Sequence, residues 1–237
     1  MSIINSLNLK KIKQDIIHLI YPETCIICQN ELLSQKKHIC LFCQNELQYT
    51  YFERFIEPSP LDQLFWGRVN INSTYAYVYF EKGKNVQPIL HALKYKNKPE
   101  IGETLGVLIG EKIKDLPSFQ NIDALIPVPI HPKKKFTRGY NQSEKIADGI
   151  SSILKIPVIP DFIESLKQTP SQTNKNRFKR WDNVATKFSI KNDIKLNHIA
   201  IVDDVITTGA TLEAIIKVIL ENNPEIRISI MSLAITK

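Results

Sequence analysis

Two adjacent carboxylates and a turn of small residues follow an apolar run close to the C-terminus. The run, residues 198–202, leads into Asp203 and Asp204, and a Thr-Thr-Gly-Ala-Thr turn at 207–211 precedes a helical apolar pattern. In open α/β sheets, ligands bind where the parallel strands end. The N–H groups and hydroxyls of a turn that opens a helix can hold a phosphate, with help from the helix dipole. No lysine follows the glycine and no GxGxxG is present, which excludes the triphosphate P-loop and the dinucleotide fingerprint. The pattern predicts a monophosphate site with two carboxylates for sugar hydroxyls; an acidic cap on a buried strand is the alternative.

All four cysteines fall in one short segment as two CxxC pairs, Cys25 with Cys28 and Cys40 with Cys43. Four thiolates at this spacing can surround one Zn²⁺ tetrahedrally. Two disulfides or a redox CxxC are the alternatives, and both are disfavoured because the chain shows no export signal and a redox motif needs no duplication. Four thiolates leave no open coordination position, so we expect structural zinc. His38 is a candidate substitute ligand.

Apolar residues stand beside these cysteines, among them Ile26, Ile27, Leu41 and Phe42. We expect them to fill the interior of the small cysteine module. A docking surface for a protein partner is the alternative.

A basic segment with interleaved aromatic residues lies between positions 131 and 187. It holds twelve Lys or Arg and five Asp or Glu, an excess equal to the net charge of +7 of the whole chain. Cations beside rings suit single-stranded nucleic acid, because phosphates pair with the cations and bases stack on the rings. Contacts to pyrophosphate or another substrate, or a solvated face, are the alternatives. The candidate nucleic-acid-binding residues are Lys133, Lys134, Lys135, Arg138, Tyr140, Arg177, Lys179 and Arg180. Lys94 and Lys96, at the end of a predicted helix, are further candidates for phosphate contacts, although compensation of the helix dipole explains them equally well.

Alternating strand and helix patterns indicate the fold that positions these residues. Residues 75–80, 122–128 and 226–235 are typical of strands, as is the apolar run before Asp203, and helical spacing of apolar residues separates them. Asn141 is placed to cap the helix that follows it. Continuously apolar strands between helices predict an α/β fold with a mainly parallel sheet covered on both faces.

Length and composition are those of a globular protein. The 237 residues are 43% hydrophobic and 23% charged, which excludes wholesale disorder, collagen and coiled coil. No apolar run approaches the roughly 20 residues that a membrane span requires. We expect a cytoplasmic protein with a short amphipathic helix at 1–20, a zinc knuckle at 21–48, a linker at 49–72 and the main domain at 73–237.

The residues from 201 to 211 resemble the 5-phosphoribosyl-1-pyrophosphate (PRPP) signature of type I phosphoribosyltransferases. The resemblance implies the type I phosphoribosyltransferase fold. It also implies that Asp203 and Asp204 hold the ribose hydroxyls of PRPP, which would bind together with Mg²⁺. The residues that would hold the 5′-phosphate are Thr207, Thr208, Gly209, Ala210 and Thr211.

A wider set of motifs resembles the ComF family of competence proteins. It comprises the segments 126–133 and 138–144, then Gln172 with Arg177, Arg180 and the Asn-Val pair at 183–184, all behind a four-cysteine knuckle. The resemblance covers residues 21–237 and implies a cytoplasmic protein that handles single-stranded DNA during natural transformation. A competence helicase is the partner that it implies for the knuckle.

The family supplies no established reaction, so an active transferase that releases pyrophosphate from PRPP to an unidentified acceptor is the alternative function. Its candidate catalytic residues are Asp203, Asp204, Arg177 and Arg180. His131 and Glu164 are weaker candidates for a general base.

Overall fold

A computed structural model describes residues 22–32, 38–55, 58–166, 188–191 and 195–237. The chain divides after Leu47 into two compact units. The amphipathic helix predicted at 1–20 lies outside the described residues. Within the part of the chain that is described, no helix has both the length and the apolar character that a membrane crossing needs.

Among the described residues, the first unit holds one short helix, and the second alternates strands with helices. The helices are α1 (Leu41–Asn45), α2 (Pro60–Gln63), α3 (Val86–Tyr95), α4 (Pro99–Ile113), α5 (Pro132–Arg138), α6 (Gln142–Leu154) and α7 (Ala210–Asn222). The strands are β1 (Ser73–Phe80), β2 (Ala124–Pro127), β3 (Ile163–Ser165), β4 (Phe188–Ile190), β5 (His198–Ile206) and β6 (Arg227–Thr236).

Four strands of the second unit form one parallel sheet in the order β1-β6-β5-β2. In its centre Ile201 pairs with Ile126 on one side and with Ile230 on the other. These strands are rich in isoleucine and valine and almost wholly buried, because helices flank the sheet. The expected mainly parallel α/β sheet is confirmed. A separate antiparallel pair, β3 with β4, brackets residues 167–187, which lie outside the described residues.

Glycines allow α4 and α6 to pack backbone against backbone. A Cβ on Gly149 would lie 2.1 Å from the carbonyl oxygen of Glu103, and one on Gly106 would lie 2.1 Å from that of Ile146. No side chain fits at either position. This close crossing fixes the position of α6. Because α6 begins beside the end of β5, its first residues contribute to the site there.

The aperiodic segment between the cysteine module and β1 is part of the second unit. Ser59 and Asp62 cap α2 reciprocally, through Ser59 Oγ and the Asp62 carboxylate. Leu61 and Phe65 are fully buried. Phe65 lies against the loop that follows β5.

Candidate functional site

Asp203 lies near the carboxyl end of β5, where α6 begins. Its Oδ1 accepts hydrogen bonds from the Asp204 N–H at 2.8 Å and from Ser143 Oγ at 3.2 Å. Burial, followed by the charge of Asp204, raises the pKa of Asp203 to about 8, against the effect of these hydrogen bonds. Ser143 is in place because Asn141 caps α6, as predicted, by accepting the Ser143 N–H at 3.1 Å.

Asp204 forms an ion pair with Lys94, from the last turn of α3. Lys94 Nζ lies 2.7 Å from Asp204 Oδ2, and the two side chains are only 23% and 14% exposed. The sequence suggested each residue separately as a ligand contact and did not indicate that they meet. The pair brings a cation to the two carboxylates at the end of β5.

The predicted phosphate turn, residues 207–211, joins β5 to α7. Gly209 precedes α7 with a left-handed φ of +71°, and a Cβ there would lie 3.0 Å from the Phe65 ring. Both the backbone angle and the close contact require glycine. Asp203 and the turn line one recess of about 40 Å³. The structure thus brings Asp203 to the turn that the sequence assigned to a sugar phosphate, whereas Asp204 does not line this recess and pairs with Lys94 instead.

Arg68 braces this turn, and the sequence analysis missed it. Its Nη1 donates to the carbonyl oxygens of Thr208 at 2.8 Å and Leu64 at 3.0 Å. Its Nε and Nη2 bind Glu213 in the first turn of α7. Glu213 also binds Lys217, which together with Arg68 lowers the pKa of Glu213 against the effect of burial. Arg68 lies in an aperiodic segment, so no local pattern could have indicated this role.

The motif at 138–143 ties α5, α6 and the end of β2 together. Arg138 Nη1 donates to Gln142 Oε1 at 2.8 Å, and Asn141 Nδ2 donates to the Val128 carbonyl at 3.0 Å. The Tyr140 hydroxyl donates to the Leu93 carbonyl at 2.6 Å, and the residue is only 8% exposed. Tyr140 therefore packs inside the molecule and does not present its ring to a base, contrary to the sequence-based expectation.

A basic–aromatic groove of about 640 Å³ lies between α3 and α5. Its charged and aromatic lining residues are Lys94, Tyr95, Lys133, Lys134, Phe136 and Arg138. Among these described residues every charged side chain is a cation. Arg138 lies over the Tyr95 ring, 5.5 Å from its centroid, and Phe136 is 93% exposed. Tyr95 falls outside the apolar stripe of α3, and this position is the signal from which its exposed ring could have been predicted.

Of the remaining candidate nucleic-acid-binding residues, the two that the structure describes, Lys135 and Tyr140, do not line this groove. Lys135 lines a different cavity of about 410 Å³, where its Nζ lies 4.0 Å from Glu144 Oε2. Arg177, Lys179 and Arg180 lie outside the described residues. The two weaker candidates for a general base have local partners: His131 Nδ1 accepts the Lys133 N–H, and Glu164 accepts from Ser189 Oγ.

The four cysteines of the first unit form one cluster. All four sulfurs lie within 4.8 Å of one another, and Cys28 Sγ is 3.7 Å from Cys40 Sγ. Two sulfurs bound tetrahedrally at about 2.3 Å from one zinc would be about 3.8 Å apart. Within the described part of the chain, the group that can hold a metal consists of these cysteines without His38.

The surroundings of the cluster favour the ionised thiolate form of one cysteine, Cys25. Burial opposes ionisation of Cys25, but backbone hydrogen bonds at Cys28, Cys40 and Ile27 outweigh it and lower its pKa to about 6. Burial and the neighbouring sulfurs raise the pKa of Cys43. A cation is the partner that would let all four sulfurs ionise together.

Leu41 and Phe42, between the last two cysteines, are 64% and 73% exposed. The expectation that apolar residues beside the cysteines fill the interior of the module is wrong for these two residues, but it holds for Ile26, which is 8% exposed, and for Ile27, which packs against the core. Cys25, Leu32 and Cys43 form that interior, with Ile27 and Ile39 packed against them.

Comparison with known proteins places these sites in a family context. Residues 141–235 match the phosphoribosyl transferase domain. The chain is 31% identical over 146 residues to competence protein F of Haemophilus influenzae, which covers 58% of this chain and 64% of that protein. It is 26% identical over 140 residues to DNA utilization protein YhgH of Escherichia coli (strain K12), which covers 58% of this chain and 62% of that protein.

Each of these matches spans less than two thirds of the relative's own length. The chain contains a phosphoribosyl transferase domain and is a homologue of competence protein F and YhgH. The resemblance to competence proteins that its motifs indicated is confirmed. Arg68, Lys94 and the four cysteines lie outside the part that matches the domain.

Proposed function

We propose that this chain, which carries a phosphoribosyl transferase domain, binds PRPP with Mg²⁺ and single-stranded DNA as part of DNA uptake in natural transformation. The relatives' names, competence protein F and DNA utilization protein, support the biological role. The observation that carries the biochemical proposal is the recess shared by Asp203 and the phosphate turn at the start of α7.

The chemistry of the recess suits a phosphorylated pentose. The N–H groups of the turn and the dipole of α7 attract the 5′-phosphate. Asp203 lines the recess and Asp204 follows it on the same strand, so that their carboxyl oxygens can accept hydrogen bonds from the ribose hydroxyls. Mg²⁺ bound together with PRPP would supply positive charge against its pyrophosphate.

Titration calorimetry with PRPP and Mg²⁺ tests this site. We expect wild-type protein to bind and Asp204→Ala to lose binding while its thermal unfolding stays cooperative, because Asp204 lies at the open end of a strand. Asp148→Ala is the matched control, since Asp148 also pairs with a lysine, at 2.8 Å from Lys145 Nζ, but on α6. Wild-type protein that does not bind PRPP, or an Asp204→Ala variant that binds it normally, would overturn the proposal.

The basic–aromatic groove supports the proposal for DNA. Lys133, Lys134 and Arg138 supply cations for phosphates, and Tyr95 and Phe136 supply rings on which bases stack. Such binding is insensitive to sequence and weakens steeply with salt.

Fluorescence anisotropy of a labelled oligonucleotide measures this dependence. We expect Lys133→Ala to lower the slope of log K against log salt by about 0.7, the value for one phosphate contact on a single strand. Lys114→Ala, at a lysine paired with Glu111 outside the groove, should leave the slope unchanged. A slope near zero in the wild type would rule out the groove as a polynucleotide site.

The domain match favours one second candidate, an active transferase. Transfer of the phosphoribosyl group would need cations over the leaving pyrophosphate, and Arg177 and Arg180 are the candidates. A screen of purines, pyrimidines and amines for pyrophosphate release tests this function. If no compound in the screen causes pyrophosphate release while PRPP still binds, the protein binds PRPP without transferring its phosphoribosyl group.

The cysteine cluster supports structural zinc, because its sulfurs have the separation that tetrahedral zinc needs. Reduced, metal-bound thiolates suit the cytoplasm. The exposed Leu41 and Phe42 favour the docking alternative, with the competence helicase as the proposed partner.

A further inference from the structure

Lys94 belongs to both proposed sites. Its Nζ lies 2.7 Å from Asp204 Oδ2, and its side chain lines the basic–aromatic groove beside Tyr95 and Arg138. The groove and the carboxylates at the end of β5 therefore share one cation.

The backbone around Lys94 is held in place, whereas its side chain can pair with either of two anions, Asp204 or a phosphate in the groove. The Leu93 carbonyl accepts the buried Tyr140 hydroxyl at 2.6 Å, and Tyr95 lies between His91 and Arg138. The four-carbon stem of lysine turns about rotatable bonds. Its ammonium can stay on Asp204 or move to a phosphate in the groove without displacing the helix.

Each ligand would engage one half of this ion pair. A ribose whose hydroxyls donate to Asp204 competes with the Lys94 ammonium for the lone pairs of that carboxylate. A polynucleotide phosphate in the groove competes with Asp204 for the same ammonium. Because both side chains are largely shielded from water, separating them without a new partner is unfavourable.

The two binding events are therefore linked through a single ion pair. Either ligand alone must separate Lys94 from Asp204, but when both bind, the pair is separated only once. The second ligand binds without that penalty, and linkage requires the same factor in both directions.

We propose that Lys94 couples the two sites, so that the sugar phosphate strengthens DNA binding and DNA strengthens sugar-phosphate binding. The proposal rests on the function proposed above and concerns its regulation. It makes Lys94 a positioning residue for both ligands.

The test measures the dissociation constant of a labelled oligonucleotide with and without saturating PRPP and Mg²⁺, and of PRPP with and without oligonucleotide. In the wild type both constants should fall by the same factor, roughly fivefold or more. In Lys94→Met the oligonucleotide should bind more weakly, because the groove loses one cation, PRPP should still bind, and the factor should fall to one. Lys133→Met, a groove lysine for which the structure records no ion pair with Asp204, should weaken DNA binding and keep the factor.

Three results would overturn the coupling: a wild-type factor of one, mutual competition between the ligands, or a factor in Lys94→Met equal to that of the wild type. Failure of the underlying function looks different, because one ligand would then not bind even alone. The single-ligand titrations therefore separate the two failures.

Discussion

At the scale of single residues, Asp203 should make the stability of the ligand-free protein depend on pH. Its pKa is raised, above all by burial, so the folded protein holds this proton more tightly than the unfolded chain does. The resulting contribution to the free energy of unfolding is full at low pH and is lost as pH rises from the usual carboxyl range to about 8. Asn cannot ionise, so Asp203→Asn should match the wild type near pH 4 and exceed its unfolding temperature by a growing margin up to pH 9.

A carboxylate of opposite behaviour gives the control for this experiment. Asp123 accepts the N–H groups of His198 and Asn197, which lower its pKa. Its contribution is present above the usual carboxyl range and is lost as pH falls, so Asp123→Asn should destabilise at pH 7 and lose this effect towards pH 3. Scanning calorimetry across this pH range measures the unfolding temperatures of both variants and the wild type. A difference in unfolding temperature between Asp203→Asn and wild type that does not vary with pH would contradict the burial of an ionisable Asp203.

At the scale of elements, Arg68 connects the segment before β1 with the phosphate turn and α7. Arg68→Ala removes the charged hydrogen bonds to Thr208 and Glu213, which we expect to cost about 1–2 kcal/mol of stability. The loosened turn should bind PRPP less tightly, on the order of tenfold or about 1.4 kcal/mol. Titration calorimetry and thermal unfolding measure the two effects.

Lys217→Ala is the matched control, because Lys217 binds the same Glu213 carboxylate but not the turn. It should leave PRPP affinity unchanged. Equal loss of affinity in both variants would mean that Glu213, and not the brace on the turn, carries the effect.

The contrast between the phosphate turn and Arg68 shows what a sequence can predict. Asp203, Asp204 and the turn are adjacent in the chain, so strand, turn and helix place them together whatever surrounds them. Arg68 acts at a distance of 140 residues from Thr208, and helices α4 to α6 and strands β2 to β4 separate Lys94 from Asp204 in the chain. Such partners depend on tertiary packing, which leaves no periodic or spacing signal in either segment.

Tyr140 illustrates the opposite error. Its neighbours along the chain are basic and exposed, which made a stacking role reasonable. The hydroxyl nevertheless finds the Leu93 carbonyl, and the ring is buried with it. Composition predicted the charge of the groove correctly, but it could not tell which ring faces outward; Tyr95 and Phe136 do.

At the scale of the whole molecule, the site draws on more of the chain than the matched domain. The domain match begins at residue 141, yet Lys94 and Arg68 precede it. The helices and the aperiodic segment that carry them belong to the same compact unit as β5. A search for function within the matched domain alone would therefore miss the groove and the brace of the phosphate turn.

The division after Leu47 leads to a prediction about zinc. Among the residues that are described there, the small module buries few apolar side chains, mainly Cys25, Leu32 and Cys43 with the residues around them. Metal binding should then supply most of its folding free energy. We expect Cys25→Ser to lose zinc by elemental analysis and to make residues 22–47 sensitive to protease, because three thiolates no longer close the site.

PRPP binding should survive in the same variant, because Asp203, Asp204 and the phosphate turn all lie in the second unit. His38→Ala is the control, since His38 is not in the group of ligands, and it should keep one zinc per chain. A Cys25→Ser protein that retains a full equivalent of zinc would show that His38 or another residue can replace the thiolate. Loss of PRPP binding together with zinc would instead show that the cysteine module supports the sugar-phosphate site.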